Sequence, residues 1–160
     1  MSDAADPPRR QASRLALKVG GSAGALVTPE ILQRAHDRLQ QRAPAAFAEI
    51  EQRLDEMSLL AAAPSHEDAR RIFQHAHEIR GVCGTFGRAS VGDVADALCI
   101  YLDDLPPDAA PSADLVRMLV NAMRLVVNEP MGARISEIVS VSRVAVRTVR
   151  LREGRSAELV

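Results

Sequence analysis

The chain has 160 residues and a formal net charge of -1. That length allows one domain with a real core, and the near-neutral balance implies no bulk attraction to nucleic acid or to an anionic membrane. Hydrophobic residues make up 47% but aromatics only 2%, with no tryptophan, so the core must be built of small and aliphatic side chains, which points to packed helices.

Residues 1–27 carry prolines, arginines and glycines without helical periodicity and are expected to form a flexible arm. Within them Lys18 and the glycines interrupt "LALKVGGSAGALV", which leaves no h-region for a secretory signal. No run of about 18 apolar residues occurs anywhere, so no membrane span is expected, and the chain is expected in the cytoplasm. Thr28-Pro29-Glu30 then reads as a helix start, with threonine as N-cap, proline at the first helical position and an acid in the first turn. Apolar or alanine positions recur from Leu32 through Ala35, Leu39, Ala43, Ala46, Phe47, Ile50, Leu54 and Met57 to Ala61, and the 3/4 spacing keeps its phase across Pro44. Two separate helices would have no reason to keep phase. The pattern therefore predicts one long helix, kinked at Pro44 and ending near Pro64; a break into two helices there is the alternative.

Ser65-His66-Glu67-Asp68 is a capping sequence for a second helix, predicted to run to about Phe86 and to stop in a left-handed cap at Gly87. A third helix is predicted from Val91 to Leu105, started by Ser90 and stopped by Pro106-Pro107. Pro111-Ser112 opens a fourth, whose apolar residues Leu115, Met118, Leu119, Ala122, Met123, Leu125 and Val126 reach so far round that it should be contacted on two sides. Residues 131–150 are rich in β-branched side chains, which would suit a strand, but Ile135, Ile138, Val139, Ser142, Ala145, Val146 and Val149 follow a helical stripe, so a C-terminal helix covering the second face of the fourth is predicted. Arg143, Arg147, Arg150, Arg152 and Arg155 near this end fit a solvated face, and the acids Asp93, Asp96, Asp103, Asp104 and Asp108 fit another. Cys83 and Cys99 fall at apolar positions and read as buried free thiols, with neither a disulfide framework nor a zinc spacing. Short connectors imply antiparallel neighbours. The expected fold is all-α: an up-down-up-down four-helix bundle with a long kinked first helix and an extra C-terminal helix, one domain over residues 28–150, with a flexible tail at 151–160.

The second helix poses a question. It carries Gly81 and Gly84 in its interior, although each interior glycine costs a helix about 1 kcal/mol against alanine. On a wheel of about 100° per residue, Ala69, Ile72, Ala76, Ile79, Cys83 and Phe86 form the apolar stripe. His77 lies off it, with Arg70, Phe73, Gln74, Arg80, Gly81, Gly84 and Arg88 on the same face. Two missing side chains beside an exposed imidazole make a hollow, useful for close approach by another molecule, and the arginines suit an anion there. A neutral imidazole is a nucleophile at pH 7, and an open basic patch around one suits phosphoryl transfer, which needs mostly positioning and charge stabilisation. No nucleotide-binding or kinase motif occurs in the chain, so the phosphoryl donor should be another molecule. His75 cannot share a metal ion with His77, because residues two apart on a helix point about 200° apart; it lies nearer the apolar side and is expected to be partly buried. His36 and His66 are expected as surface or capping residues.

The run His77-Glu78-Ile79-Arg80-Gly81-Val82-Cys83-Gly84-Thr85-Phe86-Gly87 resembles the signature of the histidine-containing phosphotransfer (HPt) domain of bacterial phosphorelays: a phosphorylatable histidine, a basic residue three later, a glycine four later, then small residues ending in Phe or Leu and Gly. The helical layout over about residues 29–128 is similar to that family's four-helix bundle. The resemblance implies that His77 is the phospho-acceptor, that Arg80 steadies the phosphate and that Gly81 gives a partner room. It departs in having arginine at position 80, where lysine is commoner. It implies receiver domains of response regulators or hybrid histidine kinases as partners, which supply the aspartate and the magnesium, so that the chain itself needs no cofactor. Partner docking is expected at Gly81, Gly84, Arg70, Phe73, Gln74 and Arg88, although Arg70 and Arg88 fit solvated charges equally well. Neither nucleic acid nor membrane is expected as a partner, and a monomer is expected. Two functions fit: a phosphocarrier with no ATP site, passing the group from one receiver aspartate to another, and an HPt-like interaction module that binds a receiver or kinase without relaying phosphate. The intact histidine, arginine and glycines favour the carrier.

Overall fold

The computed structural model describes residues 28–128 and 132–155, which places the expected N-terminal arm outside the described residues. These form five helices and no strand: α1 (Pro29–Leu60), α2 (His66–Cys83), α3 (Ala89–Asp103), α4 (Ala113–Asn128) and α5 (Ala133–Arg152). No helix among them is long and apolar enough to cross a membrane. The chain divides into two units between Leu39 and Gln40. The described part of the first is the opening of α1, where the Thr28 carbonyl accepts from the backbone N–H groups of Ile31 and Leu32 and Glu30 sits in the first turn. α1 runs unbroken through Pro44, as its continuous phase predicts.

In the second unit α1 to α4 make the four-helix bundle. α1 contributes Ile50, Leu54 and Met57 to the core. Arg53 pairs with Glu78 and Glu56 with His75, which ties α1 to α2; Arg124 on α4 reaches Glu51 and Asp55 on its other side. α3 packs against α2, α4 and α5. Three neighbours leave it little solvent, and Val91, Gly92, Val94, Ala95, Ala97, Leu98, Cys99, Tyr101 and Leu102 are all buried. Periodicity predicted a helix contacted on two sides at α4, and α4 is indeed covered by both α3 and α5, but the more enclosed helix is α3. α5 is helical despite its β-branched content. Val146 joins the buried core, with Ile138, Val139, Ala145 and Val149 partly buried against that core, and the buried Ser142 hydroxyl donates to the Ile138 carbonyl 2.8 Å away.

Three expectations need correction. α3 begins at Ala89 rather than Val91, and Ser90 is not its cap: Arg88 holds the N-cap position without a side-chain bond, and its carbonyl accepts from the N–H groups of Val91 and Gly92. The turn closed at Gly87 hands the backbone straight into the helix. The C-terminal arginines and the acids are not simply two solvated faces. Arg150 is 3% exposed and bonds to Asp104 and to the Ile100 carbonyl, Arg143 pairs with Asp93, and Arg80 with Asp96. Finally, α5 continues past residue 150, and Arg155 lies over the Tyr101 ring 5.1 Å from its centroid while donating to the Tyr101 carbonyl.

Candidate functional site

The site is carried by α2, and its N-terminus is fixed by a reciprocal cap. The Ser65 hydroxyl accepts from the Asp68 N–H at 3.1 Å, and the Asp68 carboxylate accepts from the Ser65 N–H at 3.0 Å. The Ser65 hydroxyl also donates to the Asp68 carboxylate at 2.7 Å; that bond first, and then the one from the Ser65 N–H, hold the Asp68 carboxyl below its ordinary range. From there the 3.6-residue period turns Ala69, Ile72, Ala76, Ile79 and Cys83 into the core, which leaves His77 exposed. The regular helix ends at Cys83, three residues before the expected Phe86. Bonds from Thr85 to Val82 and from Phe86 to Cys83 tighten the last turn, the Arg88 N–H reaches back to the Cys83 carbonyl at 2.9 Å, and Gly87 takes the expected left-handed conformation with φ 72°.

The His77 ring stacks on Phe73, with centroids 6.0 Å apart and planes 15° from parallel. Arg80, one turn on, has Nη2 3.4 Å from His77 Nδ1. Its Nη1 donates to Asp96 Oδ1 at 2.5 Å, a bond that raises the guanidinium above its already high value. A shallow depression beside the imidazole is lined by Phe73, His77, Arg80, Asp96, Cys99, Ile100 and Asp103. Burial pushes the Cys99 thiol up to about 11 against the opposing pull of Arg80, so it stays protonated at neutral pH.

The two helix glycines answer the question the sequence raised. A Cβ built on Gly81 or on Gly84 meets nothing within 4 Å, so neither glycine is needed for packing within the fold. Gly92 differs, since its Cβ would lie 3.6 Å from the Arg80 carbonyl oxygen, where α3 passes close to α2. Arg70 and Gln74 are exposed, and with His66, Ala69, Phe73, Leu102, Asp103 and Leu105 they line a second groove that shares Phe73 and Asp103 with the first.

Arg88 does not join this face. Its guanidinium lies over the Phe47 ring on α1, 5.0 Å from the centroid, and Phe47 packs edge-on against Phe86. The wheel that grouped Arg88 with His77 was carried past the point where the helix stops. His75 is half-buried and faces α1, its Nε2 3.2 Å from a Glu56 oxygen. Asp96 is the site residue that sequence reasoning set aside as a solvated acid. It stands sixteen positions from Arg80, and no feature within α2 signals it; only the packing of α3 on α2 brings the two together.

One family model matches the chain, that of the Hpt domain, over residues 37–126. No curated protein and no solved structure matches. The matched span is more than half of the chain; it runs from within α1 into the last turn of α4 and includes the whole His77 face, and by that match the chain belongs to the Hpt domain family.

Proposed function

We propose that the protein is a phosphocarrier of a multistep phosphorelay, in which His77 accepts a phosphoryl group from the aspartate of one receiver domain and passes it to another. The observation that carries this reading is the exposed His77 imidazole with the Arg80 guanidinium 3.4 Å from its Nδ1. An arginine N–H can only donate, so Nδ1 accepts and Nε2 is the ring nitrogen free to meet a partner. Before transfer Arg80 turns from Nδ1 to the phosphoryl oxygens, and the ring proton passes through solvent from Nε2 to Nδ1. The Nε2 lone pair so freed attacks phosphorus, the P–O bond to the receiver carboxylate breaks, and the carboxylate leaves with the electron pair. Arg80 offsets the charge of those oxygens. Phe73 fixes the ring plane by stacking. Gly81 and Gly84 leave the surface beside the ring open, and Arg70 and Gln74 extend the docking surface along the second groove.

The aspartate and the magnesium come from the receiver, and the chain acts as a monomer with no nucleotide or metal of its own. Incubation with a panel of receivers labelled on their aspartate tests this. Wild type should take up label, while His77→Gln should take up none yet still bind the receiver and keep its helical circular dichroism, because His77 is exposed and its replacement should cost little stability. Binding without labelling of the wild type would make the chain an interaction module; labelling of His77→Gln would move the acceptor elsewhere.

A further inference from the structure

Arg80 has two outer nitrogens, and the resting molecule uses both. Nη1 is held by Asp96 at 2.5 Å and Nη2 faces His77 at 3.4 Å. A phosphoryl group on His77 would bring a charge of about -2 and three acceptor oxygens to the same guanidinium. Asp96 also lines the depression in which that group would sit, together with Asp103. We propose that Asp96 is a positioning residue that sets how tightly His77 holds its phosphoryl group, by competing with that group for Arg80. This rests on the reading of His77 as acceptor. While the histidine is empty, the carboxylate keeps the guanidinium within reach of the ring. Once the histidine is loaded, the same carboxylate draws part of the arginine's interaction away, which leaves the phosphohistidine readier to give its group to a receiver.

The test needs no receiver. Phosphoimidazole is equilibrated with the folded chain in which His36 and His66 are replaced by glutamine. The His77 Nε2 lone pair attacks phosphorus, the P–N bond to the free imidazole breaks, and the imidazole leaves with that electron pair and takes up the proton the His77 ring gives up. The equilibrium constant of this exchange, read by phosphorus NMR, measures the hold on the group. Asp96→Asn and Asp96→Ser should each raise it about twofold to fivefold, the range of a partly exposed ion pair, and Asp96→Glu should keep the wild-type value. Arg80→Ala should lower it, and in that background Asp96→Asn should change nothing further. An unchanged constant in Asp96→Asn and Asp96→Ser overturns the proposal. So does a rise that persists undiminished with Arg80→Ala, since the carboxylate would then act on the phosphoryl group directly. A wild-type His77 that takes no group from phosphoimidazole also overturns it. Loading from phosphoimidazole but not from any phosphorylated receiver instead refutes the carrier role and leaves this inference standing.

Discussion

A Cβ built on Gly81 meets no atom within 4 Å, although the residue stands in the last turn of α2, where glycine is still a poor helix former. The open space separates stability from function at a single position. Gly81→Ala should be neutral or should stabilise the fold by about 1 kcal/mol or less. Gly81→Gln should keep the fold as well, because the space it enters is solvent. Yet its side chain would project one turn from His77 on the same face, and a displacement of the reacting atoms by about 1 Å can cost on the order of 100-fold in rate. Melting temperature measured beside the rate of transfer from a labelled receiver checks both. Transfer by Gly81→Gln at the wild-type rate would show that the hollow is not a docking feature. The same residue-scale view explains why Asp96 was not legible in the sequence as a site residue. His77, Arg80 and Gly81 announce themselves through spacing within one helix, whereas Asp96 belongs to the site only because α3 packs on α2.

Three glycines close together at the end of α2 look alike in the sequence and differ in the element. Gly84 keeps ordinary helical angles, φ -60° and ψ -36°, and like Gly81 has open space around it. Gly87 has φ 72°, a conformation that costs other residues roughly 1–2 kcal/mol. Its turn lets the Arg88 N–H cap the Cys83 carbonyl. Gly87→Ala should therefore destabilise by about 1 kcal/mol and lower the melting temperature by roughly 2–4 °C, while Gly84→Ala does not. A thermal melt of the two variants separates them. Helix existence was legible because apolar spacing persists over many residues, even through Pro44 and through the β-branched stretch of α5. The ends were less so. Where the last turn of α2 tightens, a wheel of fixed step loses its meaning, and Arg88 swings to Phe47 rather than to His77.

At the scale of the whole molecule, the burial of α3 by three neighbours encloses groups whose titration then couples to folding. Cys99 and Tyr101 lie on α3, and Cys83 lies on the face of α2 packed into the same core. Composition could announce the thiols as apolar residues, but the shift depends on which helix is most enclosed, and that follows from the α5 packing that periodicity only half specified. Burial pushes the Cys83 thiol up to about 11, with Arg88 opposing, and the Cys99 thiol likewise up to about 11. Burial also pushes the Tyr101 hydroxyl up to about 12, against the Ser112 N–H that favours its ionised form. All three are acids with folded values above their ordinary ones, so the folded state holds protons that the unfolded chain gives up. Their contribution is fully present below the unfolded values, near pH 9 for the thiols and near 10 for the phenol, and is lost as pH rises through the folded values. Denaturant melts should thus show stability level with respect to these groups from pH 7 to about 8.5. Between pH 9 and 11 it should fall by about 1.4 kcal/mol per pH unit for each thiol, with the phenol adding its share above pH 10. Replacing Cys83 and Cys99 together by alanine will lower the plateau through lost packing, but the informative quantity is the slope. It should flatten over the first part of the alkaline limb and leave the Tyr101 part above pH 10. An unchanged slope in the double variant would mean that these thiols ionise in the folded protein as they do in the unfolded chain.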